Sequence, residues 1–364
     1  HLLRQQEPQR VRGHGITDSG SVGGASRDSG DHTDQTALGV EHGGSGVIRP
    51  CRGVALDELG GGGPAVEDAR LAPAAHVSEL EGGPAPQKLR VDIGRAQRRR
   101  LQLDGKRPRS SSAWYQSVRM VLFHPGDLVL AAGSADKRRT FLDRILEQMD
   151  PIYASTLSSY EKALRSRNRL LKEERPNPRS IRAYDAILSK AGAVVGQARR
   201  RLIDDLAPRV ERAFTDVFAA DTPLSVRYLP RVEPSEAKIA ETLERAFEKD
   251  RTRGFTADGP HGDDLELRLQ EVGARHHGSQ GQHRTIVLAL KTAELDLLAE
   301  RTGRVPILLL DDVSSELDRT RNRRFFEVLS HTGGQVFLTT THPEFILLER
   351  DRVDFQVDAG RLSR

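Results

Sequence analysis

Three short stretches after residue 88 have the residue pattern of β-strands. Residues 89–93 and 100–103 alternate between apolar and polar side chains, and residues 104–105 are Asp-Gly, a pair typical of tight hairpin turns. Residues 118–123 are mostly apolar and end in a stretch of turn-forming residues. The pattern therefore predicts strands at the beginning of this part of the chain.

A helical spacing governs the next hundred residues. Residues 138–149, 152–174 and 180–218 carry apolar side chains three and four positions apart among many charges, with prolines between the last two stretches. This spacing predicts long amphipathic helices that pack together as an arm lobe. Residues 224–229 again have a strand pattern, which indicates that the chain returns there to a sheet.

The first 87 residues differ from the rest. They hold 17 of the 33 glycines and no Phe, Tyr, Trp, Lys, Met or Asn. No apolar period persists there, so the segment is expected to be irregular or disordered. Because the printed sequence also begins at His1, a fragment or a reading-frame error over this stretch is a further hypothesis.

Two adjacent carboxylates follow an apolar run at residues 305–310. Such a run is typical of a buried parallel strand, and open α/β sheets place their ligands at the carboxyl ends of these strands. The run has the form of a Walker B motif, in which Asp311 would hold Mg²⁺ through its water shell and Asp312 would polarise the attacking water. The residues alone also allow a core strand that ends in a solvated acidic turn.

A loop of small and polar residues, Gly-Ser-Gln-Gly-Gln at 278–282, opens a helix about thirty residues earlier. Small residues let backbone amides approach a phosphate, and a helix amino terminus adds partial positive charge. The loop resembles the ABC signature, which contacts the nucleotide held by the other subunit of a dimer, so Ser279, Gly281 and Gln282 are candidate nucleotide contacts. A polar loop with a capping serine is the alternative.

Two more elements follow in order. Residues 314–318 correspond to the D-loop of the same superfamily, with Ser315 and Asp318 as candidate nucleotide contacts. Residues 335–341 predict a second strand, which ends at His342, the position of the switch histidine that senses the γ-phosphate. A single histidine at a strand end is more often a surface residue, but four elements in this order point to an ABC-type ATPase.

The residues of these motifs resemble those of the RecF family. The matching stretches are 279–285, 288–291, 309–312 and 339–341, with further matches at 121–128, 138–143, 167–172 and 259–265. The resemblance covers residues 88–364. It implies an α/β fold, with an ABC-type head divided between residues 88–130 and 223–364 and a helical arm inserted at 131–222. The double aspartate, where many ABC proteins carry Asp-Glu, implies slow hydrolysis.

The resemblance also implies function. RecF-like proteins close as homodimers around ATP and Mg²⁺, and the closed dimer clamps DNA without sequence specificity. They act at single-stranded gaps in replication, recombinational repair and the SOS response to DNA damage, where they work with RecO and RecR to assist RecA loading. Basic residues of the arm are the candidate DNA contacts, although each cluster could equally be a solvated helix face: Arg165, Arg167, Arg169, Lys172, Arg199, Arg200 and Arg201.

Two departures from the family pattern stand out. The printed sequence contains no Gly-x-x-x-x-Gly-Lys-Ser/Thr, the Walker A loop that cradles phosphates. As printed, the chain is therefore expected to bind ATP poorly. Gly262 stands where the family segment Gly-Pro-His-Arg-Asp-Asp has arginine, so the role of that arginine is not carried over.

Composition limits the cellular compartment and the partners that the chain is expected to have. A single cysteine, Cys51, excludes an intramolecular disulfide framework, and a reducing cytoplasm is expected. No stretch approaches the roughly 18 apolar residues of a transmembrane helix, so no membrane partner is expected. The net charge of +4 permits a polyanionic partner.

Two other functions remain open. The chain could be a non-catalytic remnant that offers its signature face and arm to a partner, in which case it would not bind ATP by itself. It could also be another SMC-like ATPase. The short arm disfavours the second alternative, because such proteins have two long coiled-coil arms.

Overall fold

The computed structural model describes residues 2–6, 11–18, 36–37, 51–52, 74–80, 87–93, 100–217, 222–313, 317–331, 333–348, 352–358 and 361–363. The chain forms two compact units, one of His1–Pro125 with Arg304–Arg364 and the other of Gly126–Gly303. This division differs from the predicted segments, since residues 223–303 belong with the arm helices. The expectation of irregular structure in residues 1–87 falls mostly outside the described residues.

The described helices and strands follow each other along the chain. The strands are β1 (Leu2–Gln6), β2 (Val11–Asp18), β3 (Thr36–Ala37), β4 (Cys51–Arg52), β5 (Ala74–Leu80), β6 (Gln87–Ile93), β7 (Arg100–Leu103), β8 (Met120–Phe123), β9 (Leu224–Leu229), β10 (Asp264–Leu269), β11 (Val272–Gly273), β12 (Ile307–Asp311), β13 (Val336–Thr340), β14 (Asp354–Asp358) and β15 (Arg361–Ser363). The helices are α1 (Ser111–Ser117), α2 (Val129–Ala132), α3 (Ala135–Met149), α4 (Pro151–Leu170), α5 (Pro178–Arg212), α6 (Glu236–Arg245), α7 (Phe247–Arg253), α8 (Ala274–His277), α9 (Gln280–Thr302) and α10 (Arg319–His331).

The first unit contains a six-stranded sheet in the order β15-β14-β1-β13-β12-β8. β12 pairs in parallel with both β8 and β13, while β1 and β14 add antiparallel strands at the other side. Leu308 and Leu310 of β12 are almost fully buried, which explains why this strand is apolar along most of its length. The predicted buried parallel strand is confirmed.

A second sheet of the same unit has the antiparallel order β2-β5-β6-β7. After β7, Asp104 and Gly105 adopt positive φ angles of 51° and 75°, and Leu103 and Lys106 exchange backbone hydrogen bonds. This is the two-residue turn that the Asp-Gly pair predicts. Side chains from β6, β7 and β12 meet in a core around Trp114.

The second unit consists of the arm helices and a small antiparallel sheet in the order β9-β10-β11. Asp150 and Asn177 cap the amino termini of α4 and α5, and a proline follows each cap, so the predicted helix boundaries have a local cause. α5 packs against α4, α6 and α9. The signature helix α9 therefore belongs to the arm-containing unit.

No helix among the residues that the structure describes is both long enough and apolar enough to cross a membrane.

Candidate nucleotide site

Asp311 and Asp312 lie at the carboxyl end of β12, as the sequence predicts. Asp311 is exposed and ends the strand, whereas Asp312 is half-buried and has a φ of 49°. A left-handed conformation is costly for most residues and is tolerated best by Asp and Asn among non-glycines. The chain therefore turns sharply between the two carboxylates at the edge where α/β sheets bind ligands.

Two threonines of β13 hold these carboxylates. The Thr339 hydroxyl donates to Asp311 Oδ1 at 2.7 Å, and the Asp312 backbone N–H donates to the Thr339 carbonyl at 2.9 Å. The Thr340 hydroxyl lies 3.4 Å from Asp312 Oδ1. In the sequence these threonines match only the family pattern at residues 339–341, and nothing there places them in the site. Their position at the end of a strand parallel to β12 could have indicated the role.

His342 is brought to the same edge of the sheet. Its backbone N–H donates to Thr340 Oγ1 at 3.0 Å, so one hydroxyl contacts both Asp312 and the switch position. The imidazole Nδ1 lies 3.1 Å from Glu344 Oε1. The pKa of the exposed Glu344 carboxyl is lowered by a hydrogen bond from its own backbone and by the bond to His342. The half-exposed ring therefore has an acidic neighbour.

The carboxylate pair suits Mg²⁺ better than a metal held entirely by protein. Among the described residues, no three His, Cys, Asp or Glu side chains gather at a metal-binding distance. Mg²⁺ usually keeps several waters and binds one or two carboxylates together with substrate phosphates. Asp311, oriented by Thr339, fits that incomplete ligand set.

The signature loop of the second unit forms a complete capping box. Ser279 Oγ accepts from the Gln282 backbone N–H at 3.2 Å, and Gln282 Oε1 accepts from the Ser279 backbone N–H at 2.8 Å. The alternative of a capping serine is therefore present, and the nucleotide contacts of Ser279, Gly281 and Gln282 stay predictions. The first turn of α9 carries no acidic residue, and its amide groups at Gln280 and Gly281 cannot be satisfied within the helix.

The loop before α9 is closed by His283. Its Nε2 lies 2.7 Å from the Ala274 carbonyl, which lets it donate across the loop. A Cβ at position 278 would come within 2.6 Å of that nitrogen and 2.7 Å of that carbonyl, so Gly278 is required by close packing. The backbone before Ser279 is thus fixed by the His283–Ala274 hydrogen bond and by the close packing at Gly278.

Of the two D-loop candidates, Ser315 lies outside the described residues. Asp318 accepts from the backbone N–H groups of Thr320 and Arg321, both at 3.0 Å, and from the Arg321 side chain at 2.8 Å. The bond from Arg321 N–H is the main cause that lowers the pKa of Asp318. Asp318 therefore caps α10, and its nucleotide contact stays a prediction.

Two predicted DNA contacts need correction. Arg167 is fully buried and donates to Asp185 at 2.6 Å and to Asp250 at 2.8 Å. Arg199 is 3% exposed and forms a bidentate pair with Asp143 at 2.8 and 2.9 Å. These two arginines cannot reach a phosphate backbone, because the helix period turns them inward toward acidic partners.

Four of the other five basic candidates are exposed, and Arg200 is half-buried. Arg200 forms a bidentate pair with Glu233, and Arg165 lies 3.6 Å from Glu161. Arg169 and Arg201 are exposed on α4 and α5, and Lys172 is exposed just after α4; within the described part of the chain none of the three forms an ion pair. Their DNA contacts remain predictions.

No protein-family model matches the sequence. Among curated proteins, the chain is 39% identical over 298 residues to the DNA replication and repair protein RecF of Anaeromyxobacter sp. (strain Fw109-5), which covers 79% of this chain and 80% of the relative. It is 38% identical over 268 residues to the protein of the same name from Myxococcus xanthus (strain DK1622), covering 71% of this chain and 70% of the relative.

Solved structures give the same result. The structure of the recombination mediator protein RecF with ATP, in the RecFOR pathway, matches with a TM-score of 0.71 at 25% identity, over 80% of this chain and 79% of that one. A second such structure, described as RecF-ATPrS, matches with a TM-score of 0.68 at 27% identity, over 76% of each chain.

Proposed function

The chain belongs to the RecF family of DNA replication and repair proteins, and from that premise we propose that it is an ATP-dependent DNA-binding protein of recombinational repair. The observation that carries the proposal is the edge of the sheet where Asp311, Asp312 and His342 meet the two threonines of β13. These are groups that could hold Mg²⁺ and orient a water for phosphoryl transfer.

Each residue has a distinct role in this proposal. Asp311 would hold the Mg²⁺ of the nucleotide, and Thr339 fixes the orientation of its carboxylate. Asp312 orients the attacking water, and His342 responds to the γ-phosphate. The magnesium ion supplies charge neutralisation at the phosphates. Because Thr340 contacts both Asp312 and the His342 backbone, a change at either residue reaches the other.

The signature loop completes the site from a second copy of the chain. The exposed Ser279 and the free amides of the first turn of α9 offer hydrogen bonds to the phosphates bound by the partner head. ATP binding therefore closes a homodimer that holds DNA, and hydrolysis reopens it. The proposed setting is a single-stranded gap, with RecO and RecR as partners and RecA loading as the outcome. It is supported by the RecFOR pathway of the related structures.

One observation favours a second function. The printed sequence has no Gly-x-x-x-x-Gly-Lys-Ser/Thr that would cradle the phosphates on the same chain. A chain of this kind would serve as a partner-binding module that presents α9 and the arm to an intact subunit. The two functions differ in whether the protein binds nucleotide by itself.

Calorimetry with ATP and Mg²⁺, together with sedimentation velocity with and without nucleotide, tests the proposal. Magnesium-dependent ATP binding that shifts the protein from monomer to dimer supports the ATPase. Asp311→Asn should then weaken binding, whereas Asp204→Asn, which removes an exposed charge on α5, should leave it unchanged. No nucleotide binding at millimolar ATP would contradict the ATPase and leave the partner-binding module.

A further inference from the structure

An aromatic side chain is exposed at the end of α7. Gly254, with a φ of 74°, terminates this helix, and its N–H bonds the carbonyls of Asp250 and Arg251. In helix ends of this type the next residue commonly packs back on the helix. Phe255 occupies that position, yet 49% of it is exposed.

The segment that carries Phe255 is fixed to the end of α4. Arg167 Nη1 donates to Asp250 and to the Thr256 hydroxyl, both at 2.8 Å, and the Thr256 backbone N–H donates to Asn168 Oδ1 at 2.8 Å. The Lys172 side chain lies directly over Gly254, since a Cβ built there would be 3.3 Å from Lys172 Cγ. The backbone on either side of Phe255 is therefore fixed beside the last turn of α4.

Exposed cations lie near Phe255 along the chain and at the end of α4. We define the tip patch as Arg169, Lys172, Arg251, Arg253 and Phe255, all of which are exposed. Within the described part of the chain, Arg251 is the one cation of this set that forms an ion pair, 3.5 Å from Glu248, and so exposed a pair contributes little. Glu173 and Glu174 are the nearby exposed acids on the α4 side.

The composition of the patch favours a nucleic acid over a protein. No second large exposed hydrophobic residue occurs within residues 165–182 or 244–256. A protein interface would need an apolar centre, which a single ring does not provide. A ring among cations instead has the two elements of single-strand binding, a stacking surface for a base and charges for the phosphates on either side.

We propose that the tip patch binds single-stranded nucleic acid, with an unpaired base stacked on Phe255 and its flanking phosphates contacted by Lys172, Arg169, Arg251 and Arg253. Duplex DNA does not satisfy the ring, because its bases are stacked on each other. The inference rests on the proposed DNA-binding function and assigns that function to specific residues. It predicts that a gap is recognised through its unpaired bases.

Fluorescence anisotropy of a labelled oligodeoxythymidine, titrated with the full chain, tests the patch. Phe255→Ala should weaken binding by about 5- to 150-fold, the range expected for the loss of one stacked base. Phe255→Leu should weaken binding by a similar factor, because it keeps apolar surface without an aromatic face. Phe255→Trp should bind with about the wild-type affinity. Duplex binding should change less than twofold in all three variants.

Two matched variants control for truncation and charge. Ile152→Ala removes a more exposed apolar side chain, 69% exposed, at the far end of the same α4 helix. Lys190→Ala removes an exposed cation from the middle of α5. Both should bind the oligonucleotide like the wild type, and circular dichroism should show all variants folded.

The outcomes separate the two proposals. A wild-type chain that binds neither single-stranded nor duplex DNA would contradict the DNA-binding function itself. A wild-type chain that binds the oligonucleotide, with Phe255→Ala binding it within twofold of the wild-type affinity, would overturn the tip patch alone.

Stacking can also be observed directly by fluorescence. The Phe255→Trp variant adds a second tryptophan to Trp114, the single natural one, and the oligonucleotide should quench the added emission.

Discussion

Arg165 and Arg167 are two positions apart on α4, and their environments are opposite. Arg167 is fully buried and bonded to two carboxylates, while Arg165 is exposed with a single loose partner. Arg167 Nη2 is also buried without a hydrogen-bond partner in the described structure, so even this network is not completely satisfied. Charge alone therefore says little about the role of an arginine, and its partners decide it.

Arg167→Ala should lower the free energy of unfolding by about 3–5 kcal/mol, because it leaves Asp250 buried without its counter-charge. Arg165→Ala is the matched control on the same helix and should cost about 0.5 kcal/mol or less. Urea denaturation followed by circular dichroism measures both. Equal losses in the two variants would contradict the assignment of Arg167 as a structural residue.

Thr339→Val should weaken magnesium-dependent nucleotide binding by about 10- to 100-fold, the usual effect of removing a hydrogen bond that orients a metal ligand. The variant keeps the shape of the side chain and the β13 backbone, and removes only the 2.7 Å bond to Asp311. Titration of ATP at fixed Mg²⁺, and of Mg²⁺ at fixed ATP, measures the effect. A loss of stability without a change in magnesium dependence would instead indicate a purely structural bond.

His261 should make stability depend on pH. Burial lowers its pKa in the fold, and its ring nitrogens bond Tyr160 and the Thr256 carbonyl. The unfolded imidazole has a pKa of about 6.5 and therefore takes up a proton at a higher pH than the folded one does. Stability is present above that value and is lost as the pH falls below it.

His261→Gln should consequently lose less stability than the wild type between about pH 7.5 and about pH 5.5. Burial raises the pKa of the nearby Asp263, which has the opposite sign and stabilises the fold as the pH falls. That effect is shared by both proteins and largely cancels in the comparison. Urea melts across this range measure the free energy of unfolding of both proteins. If that free energy changes with pH equally in the variant and the wild type, His261 is not the cause.

At the scale of helices and strands, local chemistry explains what the sequence could predict. The Asp-Pro and Asn-Pro pairs fix the beginnings of α4 and α5, and the apolar run before Asp311 is the pattern of a strand buried on both faces. The strand patterns before Asp311 and before His342 predict β12 and β13 themselves. These inferences needed no information from distant residues.

The remaining features depend on residues far apart in the chain. The partners of Arg199 and Arg167 include Asp143 and Asp250, which no helical spacing connects to them. Thr339 becomes part of the site only because β13 pairs in parallel with β12 in one register, opposite Asp311. Sequence patterns identify which face is apolar, but they do not identify the acid that an inward-facing arginine meets.

Gly278→Ala tests the loop before α9. Its Cβ would meet the His283–Ala274 hydrogen bond at under 3 Å, so the loop must shift, at an expected cost of about 1–3 kcal/mol. Gly273→Ala is the control, because nothing lies within 4 Å of its Cβ position, and it should change stability by about 1 kcal/mol or less. Denaturation of both variants measures this. The nucleotide-dependent dimer should be weakened only by the first, and equal behaviour of both would contradict the loop assignment.

At the scale of the whole molecule, charge is nearly balanced. The chain has 56 basic and 52 acidic residues, a net charge of only +4. A field this weak does not attract DNA strongly from every side, so electrostatic binding must come from places where cations outnumber nearby acids. The tip patch is one such place, and the buried Arg167 and Arg199 must be subtracted from any estimate based on composition.

The salt dependence of single-strand binding measures how many phosphates the molecule contacts. If the four cations of the tip patch each meet one phosphate, the affinity for an oligodeoxythymidine should fall about 50-fold for a fourfold rise in salt, at a slope of about −0.7 per contact. The double variant Lys172→Ala/Arg253→Ala should fall only about 7-fold, since two contacts are gone. Lys190→Ala should keep the wild-type slope. If the logarithm of the affinity falls with the logarithm of the salt concentration at the same slope in the wild type and the double variant, the phosphates are held elsewhere on the protein. That conclusion would hold even if a base stacks on Phe255.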